Sequence, residues 1–154
     1  MYLISVILLM ILAPTVSAVA EYATASMPPD LIGVAGKWMT FWAVGVRLFI
    51  AGLRQVAQPA FTARDIFQID DPRAAGLVRE IGFGNLAMGL IGLASLLRPE
   101  WLVPAAIVGG LYYGLAGLGH LLKGGRNGKE DLAMLTDFLA FIVLAVFVVM
   151  RGLY

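Results

Sequence analysis

The sequence predicts an all-α integral membrane bundle of five transmembrane helices with a short interfacial helix. Composition is the first reason. Hydrophobic residues make up 60% of the 154 and charged residues only 14%, against about 25% charged in a typical soluble domain. A soluble domain this small cannot hide so much apolar surface, because surface falls too slowly with size. Run length is the second reason. Five apolar stretches of the length a bilayer core demands, about 20 residues, are separated by polar breaks. The third reason is the absence of strand alternation, which argues against a β-barrel. Such hydrophobicity also excludes disorder. The formal net charge of +1 offers no nucleic-acid partner, and membrane lipid is the expected surrounding. With no cysteine, disulfides, thiolate metal sites and a cysteine nucleophile are excluded.

The first span is Met1 to Ala20, with no charged side chain. It imitates a secretory signal, with an apolar run, then Pro14, then small residues to Ala20. Its start lacks the basic residue of a signal peptide. The expectation is a retained transmembrane helix, with residues 1–25 as a unit beside a four-helix core over 31–154. A polar connection from Glu21 to Asp30 follows, stopped by Pro28-Pro29. The second span runs from Leu31 to Val56 and carries Lys37, Arg47 and Arg54; Pro59 ends it. Phe61 to Ile69 is too short to cross. Arg64, Asp65 and Gln68 gather on one side of it, and Ile66, Phe67 and Ile69 on the other. That pattern predicts an interfacial helix over 61–69. Asp70-Asp71-Pro72 is a helix start, so the third span covers Arg73 to Leu97. The fourth is Trp101 to Leu122, with Pro104 in its first turn. A polar glycine-rich loop leads to the fifth, Glu130 to Met150.

Basic residues orient the bundle. The second-to-third connection carries Arg54, Arg64, Arg73 and Arg79, and the fourth-to-fifth loop Lys123, Arg126 and Lys129. The opposite side has Lys37, Arg98 and Arg151. The positive-inside rule places the N-terminus in the cytoplasm. Tyr22, Trp38, Trp101 and Tyr154 fall at the outer boundary, where amphipathic rings settle.

Polar groups inside spans are costly and turn inward. Helical rise puts Arg47, Asn85, Tyr113 and Asp137, from four spans, at one depth. Glu80, Arg54 and His120 lie in the layer nearer the cytoplasm. Arg47 and Arg54 balance Glu80 and Asp137, as desolvation demands. The candidate ligand-binding set is therefore Arg47, Glu80, Asn85, Tyr113, His120 and Asp137. The expected contact is between Arg47 and either Asp137 or Glu80. Two readings stay open: pairing that fixes helix register, or a ligand or proton site in which His120 relays protons. One histidine leaves too few nitrogen ligands for a metal or haem, and no cofactor is expected. Of 18 glycines, many lie in spans three and four, and Gly110-x-x-x-Gly114 is a close-packing pattern. The loop before Glu130 lacks P-loop spacing, and no G-x-S-x-G elbow occurs. No catalytic residue is assigned, so an enzyme is not the favoured class.

The segment Glu80-Ile81-Gly82-Phe83-Gly84-Asn85-Leu86 resembles a motif of a family of small bacterial and archaeal membrane proteins of unknown function. Gly119-His120 and Asp137 are similar to that family's helix-ending Gly-His pair and its inward acid. The resemblance covers Phe41 to the C-terminus and implies a four-helix core loosely similar to DoxX-like proteins. Three functions follow as expectations. The first is binding or movement of a small polar solute or protons through the polar cluster, in a homo-oligomer. The second is an accessory role, binding other membrane proteins. The third is a quinone-linked oxidoreductase component.

Overall fold

In the computed structural model, residues 2–66, 68–126 and 128–152 are described. Among them five helices are long and apolar enough to cross a membrane. Helix α1 covers Leu3–Thr24 and α2 Leu31–Ala57. A short helix, α3, occupies 59–66. Then come α4, Ala74–Ala94, and α5, Leu102–Leu122, entered through a 3-10 turn at Pro99–Trp101. Helix α6 is Gly128–Gly152.

Helix α1 runs four residues past the expected end at Ala20. The reason is electrostatic: half-buried Glu21 pairs with Lys37 and accepts a 2.7 Å bond from Trp38 Nε1. Thr24 Oγ1 then donates to the Ala20 carbonyl at 2.8 Å, prolonging the last turn. Asp30 caps α2 by accepting from the Ile32 and Gly33 amides at 3.1 and 3.0 Å, which satisfies two orphan donors.

The short helix is displaced from the expected 61–69. Pro59 opens it at its first position, where a missing N–H costs nothing. It stops at Ile66, and Gln68 takes a left-handed φ of 58°. The Ile69 amide closes the turn on the Ala63 carbonyl at 2.9 Å. Arg64 and Asp65 are exposed, while Thr62 and Ala63 are buried. Phe67 and Tyr154, which carry part of the interfacial pattern and the outer aromatic belt, lie outside the described residues. So does Asn127 of the glycine-rich loop.

Two kinds of packing hold the helices. Between α2 and α4 the backbones touch. A Cβ on Gly92 would stand 2.5 Å from the Gly45 nitrogen, one on Gly89 would stand 2.6 Å from the Phe49 nitrogen, and one on Gly52 would stand 2.7 Å from the Leu86 nitrogen. Around α6, glycines instead receive side chains. Gly36 takes Phe147, Gly114 takes Phe141 and Gly110 takes Leu144. The Gly110-x-x-x-Gly114 pattern thus seats α6 on α5. The apolar core joins Met39, Ala43, Val44 and Leu48 of α2 to Ala106 and Tyr113 of α5 and Ala140, Leu144 and Phe147 of α6. Val6 and Met10 bring α1 into the same core.

Candidate functional site

Helix α2 is π-helical from Thr40 to Arg47. A π turn holds more residues than an α turn, so it shifts the face of everything after it; such segments are frequent at functional sites. Here the widened turn meets Tyr113, which is fully buried. The Tyr113 hydroxyl donates to the Ala43 carbonyl at 2.5 Å and accepts from Arg47 Nη1 at 3.3 Å. The guanidinium also stands over the Tyr113 ring, 5.6 Å from its centroid.

Helix α4 turns Val78, Gly82, Asn85, Gly89 and Gly92 inward. Asn85 is the one polar member of that stripe and is only 2% exposed. Its amide donates to Gln55 Oε1 on α2 at 2.7 Å, and it also interacts with the Tyr112 hydroxyl. On α6, Asp137 is 4% exposed and lies in the electrostatic field of Arg47. Beside it Thr136 is spent on its own helix, donating to the Leu132 and Ala133 carbonyls. Tyr112 feels both Arg47 and Asp137, which places all these groups in one cluster. Asn85 Oδ1 and Asp137 Oδ1 are buried with no hydrogen-bond partner among the described residues.

The structure therefore brings Arg47, Asn85, Tyr113 and Asp137 together and leaves Glu80 and His120 aside. Glu80 is exposed. It lies five residues before Asn85, and at about 100° per residue that is about 140° around the helix. Depth alone made it look like a member of the cluster. Arg54, its expected balance, is exposed and stacks on Phe61, 4.4 Å from the ring centroid. His120 is half-buried at the end of α5; its carbonyl accepts from Arg126 Nη1 at 3.2 Å. Arg126 also binds the Leu121 and Lys123 carbonyls and Asp131, so it satisfies the orphan acceptors of the helix end. The sequence reading missed Gln55 and Tyr112. Each adjoins a residue it did single out, and neither carries a charge to mark it.

Two cavities lie away from the cluster. One, of about 470 Å³, sits between α1, α2 and α6. The other, of about 100 Å³, sits beside α3 at Ala63, Arg64, Asp71 and Pro72. Among the described residues no group of three or more His, Asp or Glu side chains is placed to hold a metal ion.

Among the described residues, fold and cluster together define an all-helical protein with five helices long enough and apolar enough to cross a membrane, enclosing a polar group of side chains. The chain belongs to DUF6790, a family of unknown function, whose model matches residues 2–152. That range takes in α1, whereas the resemblance seen in the sequence began only near Phe41. No curated protein and no solved structure matches the chain.

Proposed function

We propose that this is a multi-pass protein of a bacterial or archaeal plasma membrane, N-terminus cytoplasmic, whose buried cluster binds a small polar solute. The observation that carries this reading is the pair of buried acceptors without partners, Asn85 Oδ1 and Asp137 Oδ1. An unsatisfied buried polar atom costs about 1–3 kcal/mol, and a donor-bearing guest would recover that cost. Arg47 beside Asp137 keeps the formal charge of the pair near zero, which favours a neutral guest with N–H or O–H groups. The same reading has the chain working as a homo-oligomer, since one bundle of this size is small for alternating access.

The test is thermal unfolding in detergent with a panel of small neutral amides, ureas and polyols. A guest present at about 100 times its Kd stabilises by about 2.7 kcal/mol, a readable rise in Tm. The rise should occur in the wild type and vanish in Asn85→Leu. If no compound separates the two proteins, the cluster is structural. For topology, a thiol placed at the open position Gly124 should resist membrane-impermeant maleimide added outside intact cells.

The accessory reading draws less support. The glycines that could form an outward docking stripe are largely spent inside, on Phe49, Gly45, Phe141 and Phe147. The quinone reading called for a lateral opening lined by aromatics, and the 470 Å³ cavity carries one aromatic, Tyr22.

A further inference from the structure

Helix α1 is pinned to α2 along one edge by polar contacts. Ser17 Oγ accepts from Trp42 Nε1 at 2.9 Å, and Glu21 holds Trp38 and Lys37. Beside that edge the two helices do not close. Pro14, Ala18 and Ala35 are too short to fill the gap, and with Met10, Met39 and Leu139 they line the cavity of about 470 Å³. Its lining is apolar except for Thr15 and the Tyr22 hydroxyl. It extends along α1 from Met10 to Ala23, which at 1.5 Å per residue is about 20 Å.

Shape selects the occupant. A helix with side chains is about 10 Å across, so a partner helix of that length needs roughly three times this volume. Spread over about 20 Å, the cavity has a cross-section of about 24 Å², suited to one extended hydrocarbon chain whose carbons stand about 4 Å from their neighbours. The end at Tyr22 and Leu31 is flanked by two ion pairs, Glu21 with Lys37 and Asp30 with Arg151 at 3.5 Å. Both signs of charge are thus present where a headgroup would emerge.

We infer that this crevice is a lipid site. It holds one acyl chain of a zwitterionic phospholipid, with the phosphate near Lys37 and Arg151 and the ammonium near Glu21 and Asp30. The site is separate from the polar cluster.

Native mass spectrometry of the full chain, released from nanodiscs of phosphatidylethanolamine and phosphatidylglycerol in equal parts, tests this. The wild type should retain one phosphatidylethanolamine per chain. Ala18→Phe, which fills the crevice, should lower that retention at least tenfold while the helical circular dichroism and elution volume stay unchanged. Ala35→Leu carries the same test should Ala18→Phe misfold. Equal retention by wild type and filled variants overturns the inference. So does equal or preferred retention of phosphatidylglycerol, or an isoprenoid quinone held in the phospholipid's place. Both variants should keep any solute-induced Tm rise of the wild type, so failure here is distinct from failure of the solute reading.

Discussion

The seam between α2 and α4 and the seam between α2 and α1 are both built from small residues, yet one closes and the other stays open. In the first, glycines on both helices fall in register, and Gly92 meets Gly45 backbone to backbone. In the second, the small residues Pro14, Ala18 and Ala35 face one another, while indole and carboxylate contacts at Trp42, Trp38 and Glu21 set the spacing. Small residues permit close approach in lipid, where no hydrophobic force drives helices together. Whether approach occurs depends on what else sits in the seam. The closed seam also has a consequence for chemistry. Asn85 lies between Gly82 and Gly89 on the α4 stripe, and Gln55 lies three residues beyond Gly52 on α2. Glycine contact on either side thus sets buried Asn85 against half-buried Gln55 at the seam.

The largest effect should come from breaking the closed seam. Gly92→Leu places a side chain where only backbone can yield. It should cost more than the roughly 3 kcal/mol of ordinary overpacking, seen as loss of a monodisperse folded peak and of cooperative thermal unfolding. Next comes what the bundle encloses. Asp137→Leu removes the buried carboxylate that lies in the field of half-buried Arg47, and should cost about 1–3 kcal/mol, the scale of leaving a polar group unsatisfied. Asp137→Asn keeps an acceptor and should cost clearly less; equal Tm losses would show that Arg47 does not depend on this side chain. The open seam should be more tolerant. Trp42→Phe removes one tether to Ser17 and should cost about 1 kcal/mol, the scale of a single hydrogen bond, while raising proteolysis of α1. Smallest of all, Glu80→Gln should change stability by less than about 0.5 kcal/mol, as for an exposed site. A large effect there would return Glu80 to the cluster.

Depth was legible in the sequence because rise per residue is constant: counting from the span ends puts Arg47, Asn85, Tyr113 and Asp137 at one level. Face was less legible. Glu80 shares a helix with Asn85 but points away, a matter of angle that depth does not report. The π-helical stretch at Thr40–Arg47 has no marker such as proline, so its shift of register was invisible before the fold was known. The length of α1 was hidden too, because Glu21 reads as a polar break until its partners Lys37 and Trp38 arrive from another helix. Composition announced five spans, but which glycines would meet backbone and which would meet phenylalanine depends on the partner helix.

The central claim is that the polar cluster is open to small solutes rather than sealed as a structural knot. The chain has no cysteine, so single thiols report without background. Asn85→Cys in the cluster and Leu144→Cys in the apolar core start from nearly equal burial. The decisive measurement is the rate at which each reacts with a small water-soluble methanethiosulfonate in native membranes. The solute-site account predicts labelling at position 85 at least ten times faster than at position 144. Equal, slow labelling at both positions would contradict it.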